Sequence, residues 1–146
     1  MENFAEIIDI VLLSLRVSLI ASLIGLAIGA PLGAYICTSE GKAKSIWLAI
    51  FSALLAVPTV VVGLIVYLLL SNSGPLGWLD LLFSPSAIII AQVLITVPVI
   101  TIFAHRACAG PWAEFGDALR IDIQKRHLRM WEIIKIARAG MVTAFL

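Results

Sequence analysis

Polar positions in this chain are confined to short gaps between long apolar runs. The first run extends from about Val11 to Ile36, the second from about Ile46 to Leu70 and the third from about Ala87 to Ala104. Each is close to or above the ~20 residues that a helix needs to cross ~30 Å of hydrocarbon. None shows the ~10-residue alternation of a barrel strand, and inside lipid a lone segment can satisfy its backbone only as a helix. A fourth run starts near Ile133 and carries Lys135 and Arg138. Its clean apolar part, Ala139 to Leu146, is too short to cross. The pattern therefore predicts an all-α polytopic membrane helix bundle. It has three full transmembrane helices (about 11–36, 46–70 and 87–104), a polar loop at about 106–136, and the start of a fourth helix from about 137. The chain is expected to stop inside that helix.

Composition supports lipid as the main solvent. Of 146 residues, 62% are hydrophobic and 13% charged, more apolar surface than a single small core can hide. The net charge of +1 says little; its placement says more. The N-terminal tail holds Glu2, Glu6 and Asp9, with no Lys or Arg before Arg16. The loop at 39–45 holds Lys42 and Lys44. The loop at 71–86 holds Asp80 alone, and the next holds Arg106, Arg120, Lys125, Arg126, Arg129, Lys135 and Arg138. By the positive-inside rule, the N-terminus is expected outside and the loops at 39–45 and 106–136 in the cytoplasm, in a multi-pass protein of the cell membrane. The N-terminus has no basic n-region and no small-residue cleavage site, so the first run is read as retained.

Within the spans, small residues recur four apart: Ser14, Ser18 and Ser22, then Gly25, Gly29 and Gly33. Such a ridge lets a second helix approach closely, within the chain or from another subunit. Pro31, Pro58 and Pro98 lie in or near spans, where each removes a backbone bond and can kink the helix. Pro58, Thr59, Gly63, Gln92 and Pro98 are candidates for a pore or gate. Gln92 reads either as an interhelical hydrogen-bond partner or as a pore-lining group. Thr59, Thr96 and Thr101 are expected to bond back to their own helices. In the outer loop, Gly74, Pro75 and Gly77 mark a turn, and Trp78 to Phe83 read as a short interfacial helix.

Catalytic chemistry has little support. Cys37 and Cys108 belong to no CxxC or Cys/His cluster, and His105 and His127 have no partners at metal spacing. No GxxxxGK[ST] loop is present, so ATP binding by that route is excluded and any energised transport needs a partner. No catalytic residue, metal, cofactor or nucleic-acid partner is expected.

The polar loop between the third and fourth runs carries more information. Trp112, Phe115 and Leu119 fall at helical spacing, with Glu114 and Asp117 on the same segment. A basic stretch, Asp122 to Arg129, follows, and Met130, Trp131, Ile133, Ile134 and Ile136 return towards the membrane. Helix, polar tip and return helix form a protruding elbow; a solvated loop that only sets topology near anionic lipid is the plainer alternative.

These residues resemble a known family. Asp117-Ala118-Leu119 followed by Trp131 is similar to the "EAA" coupling loop of ABC-importer permeases. Ala56-Val57-Pro58-Thr59-Val60-Val61-Val62-Gly63-Leu64, then Tyr67 to Ser71 and Ser73-Gly74-Pro75-Leu76-Gly77, resembles the second span and outer turn of the oxyanion permeases, nearest the tungstate type and next the molybdate type. Ser14 to Ser18 and Gly29-Ala30-Pro31-Leu32-Gly33 are similar to their first span. Leu119 stands where the family has a second small residue, and no glycine falls near Ile123. The resemblance implies a partial importer transmembrane domain with a MetI-like fold, short of the family's five spans. It implies a homodimer bound to a cytoplasmic ABC ATPase, an extracytoplasmic oxyanion-binding protein, and ATP hydrolysis by the partner. It also implies ATPase coupling through Glu114, Phe115, Asp117, Ala118, Leu119, Arg120, Lys125, Arg126, Arg129 and Trp131. Tungstate is the expected substrate, with molybdate or sulfate as alternatives. A non-transporting relic, or an anchor or assembly protein, is the alternative function.

Overall fold

The computed structural model describes residues 2–123 and 125–144. All regular structure among them is helical: α1 (Glu2–Cys37), α2 (Gly41–Ala56), α3 (Thr59–Leu70), a short 3-10 turn (Gly77–Leu79), α4 (Pro85–Asp122) and α5 (Arg126–Ala144). Two stretches, Glu6–Cys37 and Pro85–Ile121, are long and apolar enough to cross a membrane. A third crossing exists if α2 and α3 count as one broken span.

That break changes the expected second span. Pro58 has no N–H to give α2, and its ring disfavours helical geometry at Val57. Pro58 instead caps α3 with φ −59° and ψ 136°, and its carbonyl accepts from Val61 N–H at 2.9 Å and Val62 N–H at 3.3 Å. At 16 and 12 residues, α2 and α3 reach about 24 and 18 Å, each short of the hydrocarbon thickness alone. By contrast, Pro31 in α1 and Pro98 and Pro111 in α4 sit inside unbroken helices. The helix that holds the third apolar run extends past Ala104 to Asp122.

The chain forms two compact units: Met1–Gly25 with Val57–Thr96, and Leu26–Ala56 with Val97–Leu146. In the first, the turn after α3 folds back on the end of that helix. Leu76 N–H donates to the Leu69 carbonyl at 3.0 Å, and Ser71 N–H to the Tyr67 carbonyl at 2.9 Å. The expected interfacial helix from Trp78 to Phe83 shrinks to the Gly77–Leu79 turn. Left-handed backbone at Asp80 (φ 48°) and Phe83 (φ 63°) stops it, and Trp78 and Phe83 are left exposed.

In the second unit two apolar clusters hold the helices. Ala34, Cys37, Cys108, Ile133 and Ala137 tie α1, α4 and α5 together, with Trp112, Leu119, Met130 and Ile134 packed around them. Ile36, Phe51 and Ile102 join α1, α2 and α4, supported by Leu32, Leu48 and Val97. On the part of α1 in this unit, Gly29, Gly33 and Cys37 are buried, and on its part in the first unit Val17, Ala21 and Gly25 are. Ser14, Ser18 and Ser22 lie exposed, so the serine half of the expected ridge faces away from the packing. Gly29 and Gly33 let α4 come close. A Cβ on Gly29 would lie 2.9 Å from Ile100 Cβ, and one on Gly33 would collide with the Thr101 carbonyl and stand 2.6 Å from Ala104 Cβ.

Candidate functional site

The elbow is built from the C-terminal end of α4 (Pro85–Asp122) and the start of α5 (Arg126–Ala144). With 38 residues, α4 is about 57 Å long, well beyond ~30 Å of hydrocarbon, so part of it must project. Ile123 N–H to the Leu119 carbonyl (3.1 Å) closes α4, and Leu128 and Arg129 N–H groups to the Lys125 carbonyl (3.1 and 3.3 Å) open α5. The polar tip is thus narrower than the expected stretch from Asp122 to Arg129, and Ile123 enters the turn with no glycine.

Helical geometry sorts the expected coupling residues. At about 100° per residue, Leu119 returns almost to the direction of Trp112, and both pack on the cluster around Cys108 and Ile133. Phe115 falls on the flank, about 60° from Trp112, and is 41% exposed. The expected apolar seam of Phe115 and Leu119 is therefore split: Leu119 serves the internal core and Phe115 faces out. Gly116 is buried beneath Trp112, where a Cβ would meet the indole at 3.2 Å. Glu114, Asp117, Ala118 and Lys125 are exposed, as is Trp131 at the start of α5. Arg129 is half-buried, and its Nε is among the buried side-chain atoms with no hydrogen-bond partner. The side chain of Arg126 lies outside the described residues.

Arg120 does not extend freely from the rim. Its guanidinium sits 2.6 Å from Glu40 Oε1 and 3.1 Å from Asp117 Oδ1, and lies over the Trp112 ring at 5.4 Å from the centroid. Glu40 is in the short connection from α1 to α2, which is itself tightly fixed. Thr38 and Ser39 hydroxyls donate to the Tyr35 carbonyl at 3.1 and 2.7 Å, and Gly41 turns the chain at φ 65°. The two basic connections of the sequence, around Lys42–Lys44 and around Arg120–Arg129, thus meet at one end of this unit. Sequence reasoning passed over Glu40; the visible signal was a lone acid in a basic connection.

The pore and gate candidates are more scattered. Pro58 and Thr59 are exposed at the α2–α3 break. Gly63 borders an apolar cleft of about 420 Å³ in the first unit, with Tyr67, Leu70, Phe83, Ala87 and Ala91 on its walls. Gln92 is half-buried and its Oε1 is buried without a hydrogen-bond partner among the described residues, so neither reading of it acquires a visible bond. Pro98 is buried in the second unit. The hydroxyls of Thr96 and Thr101 donate to the carbonyls four residues back, Gln92 at 2.6 Å and Val97 at 2.7 Å. Among the described residues, no three His, Cys, Asp or Glu side chains gather as metal ligands would.

Comparison with known proteins gives this arrangement its context. The chain is 33% identical over 144 residues to a probable anion ABC transporter permease protein of Haloferax volcanii, covering 99% of the chain and 62% of that relative. It is 39% identical over 93 residues to the tungstate uptake system permease protein TupB of Peptoclostridium acidaminophilum, covering 64% of the chain and 41% of the relative. To the protein of the same name from Campylobacter jejuni it is 43% identical over 61 residues. It spans less than two thirds of the length of each of these relatives. No family model and no solved structure matches it. With its apolar helices, and with homology to a permease along nearly its whole length, the chain is a multi-pass membrane protein whose homologues are ABC transporter permease proteins.

Proposed function

We propose that the chain is the permease subunit of an ATP-driven importer for an oxyanion, tungstate first. It receives the anion from an external binding protein and is driven by a cytoplasmic ATPase. The observation that carries this reading is the 99% coverage by an anion permease relative. The elbow supplies the mechanical part. Exposed Phe115 and Trp131 form apolar contacts for a groove on the ATPase, and Glu114, Asp117, Lys125 and Arg129 form a polar rim around them.

In this reading two copies of the chain enclose the path, and closure of the ATPase pair pushes the elbow. Because α4 stays helical to Asp122, a push at the elbow acts on helix rather than on a flexible loop. Selectivity for the anion rests mainly with the binding protein, since the described spans offer no cluster of anion-chelating donors. The basic connections face the cytoplasm and the N-terminus faces outward.

Complementation tests the reading. The chain is expressed in a strain lacking its oxyanion permease but retaining the ATPase and binding protein. Restored high-affinity uptake of tungstate, together with co-purification of the ATPase, is the expected result. Restored uptake of molybdate or sulfate instead would move the substrate within the class. Stable insertion with neither uptake nor ATPase association would defeat the proposal and leave a membrane anchor or a non-transporting relic.

A further inference from the structure

The α1–α2 connection is fastened to the elbow at two levels. Below the tip, Ala34 and Cys37 of α1 share an apolar cluster with Cys108 of α4 and Ile133 and Ala137 of α5, all at most 2% exposed. At the tip, Glu40 holds the Arg120 guanidinium at 2.6 Å, while Asp117 and the Trp112 ring hold it from its own helix. The connection has little slack. Thr38 and Ser39 are each 5% exposed, their side chains are bonded to the Tyr35 carbonyl, and their N–H groups donate to Ala34 at 3.0 Å and Ile36 at 3.1 Å.

We infer that Arg120 is a positioning residue, and that through Glu40 it makes the α1–α2 connection a second arm of the coupling elbow. A push on α4 then reaches α1 and α2 directly, without first passing along the full length of α4. The lone acid at Glu40, followed by Lys42 and Lys44, fits this use; a loop that only set topology would need basic residues there and no acid. The inference rests on the proposed role of the chain as an ATPase-driven permease.

The test is a double-mutant cycle in the complete complex with its ATPase and binding protein, reconstituted in lipid vesicles. Tungstate taken up per ATP hydrolysed is the readout, with ATPase association measured in parallel. E40Q is expected to lower uptake per ATP about two- to fivefold, the range an exposed ion pair supports, with ATPase association unchanged. Glu40→Asp is expected to recover most of that loss. R120Q is expected to cost at least as much, and E40Q/R120Q no more than R120Q alone, because both remove one contact. K42Q, next to Glu40 but outside the contact, is the control for charge alone and is expected to leave the ratio unchanged. Two results would overturn the inference: wild-type coupling in E40Q, or losses in the double variant that multiply. An unsubstituted complex that hydrolyses ATP without taking up anion would instead defeat the proposed function itself.

Discussion

At the scale of single residues, Gly33 sits directly against the backbone of α4. A Cβ there would collide with the Thr101 carbonyl oxygen and stand 2.6 Å from Ala104 Cβ and 2.8 Å from His105 N. Two of those neighbours are backbone atoms of α4, so no rotamer change relieves the clash and the helices must part. Overpacking of this kind costs about 1–3 kcal/mol, more than the ~0.5–1 kcal/mol that Ala gains over Gly inside a helix. Gly63 is the converse case: nothing lies within 4 Å of its Cβ position, and it is exposed on α3. Gly33→Ala is therefore expected to lower the unfolding midpoint in mild detergent, and Gly63→Ala to leave it unchanged or raise it slightly. Thermal unfolding followed by size-exclusion recovery separates them, and equal effects would contradict the close α1–α4 approach. Both glycines are plain in the sequence, but the sequence cannot distinguish a glycine under a neighbouring backbone from one facing open space. That difference belongs to the partner helix.

At the scale of elements, two Val-Pro pairs show where local reading stops. Val57-Pro58 ends one helix and begins another, whereas Val97-Pro98 lies inside α4. Both prolines remove a donor and crowd the preceding valine in the same way, so propensity alone cannot separate them. Burial does: Pro98 is buried, Val97 packs beside Ile36 and Ile102, and Ile100 lies against Gly29, whereas Pro58 is exposed. Pro98 is packed within the second unit and its helix continues, whereas Pro58 is exposed and begins a new one. The elbow repeats the lesson. Its helical spacing was legible, and so was its basic tip. Its division into a core side and a free side was not, because that depends on where α1 and α5 lie. Leu119 packs into the internal cluster and Phe115 does not. Leu119→Ala is accordingly expected to cost about 1–3 kcal/mol of stability, less than a fully buried leucine would. Phe115→Ala is expected to leave stability nearly unchanged while weakening ATPase association severalfold. Unfolding in detergent and quantitative pull-down of the ATPase, run on both variants, check the assignment. A loss of stability in Phe115→Ala equal to that in Leu119→Ala would return both side chains to one internal seam.

At the scale of the whole molecule, what the apolar runs conveyed directly was the all-helical, membrane-crossing character, since a run near 20 residues admits few other outcomes in lipid. Orientation rests on a different signal, the alternation of basic connections, and one structural fact bears on it. The Arg120–Glu40 pair brings the connection holding Lys42 and Lys44 against the one holding Lys125 and Arg129. Two connections in contact at the tip of one unit face the same compartment, so their charges act together in the positive-inside bias. The loop at 71–84 carries Asp80 as its only charge, and the stretch Pro85–Ile121 that follows it is long and apolar enough to cross a membrane. Single cysteines at Lys42 and Lys125 should therefore react with a membrane-impermeant maleimide only after the cells are opened, and a cysteine at Ser73 should react in intact cells. Cys37 and Cys108 are fully buried and give little background. Labelling of Lys42 and Lys125 positions on opposite sides would break the contact between the two connections. Labelling of both from outside would keep the contact but invert the protein, placing the elbow where no ATPase could reach it.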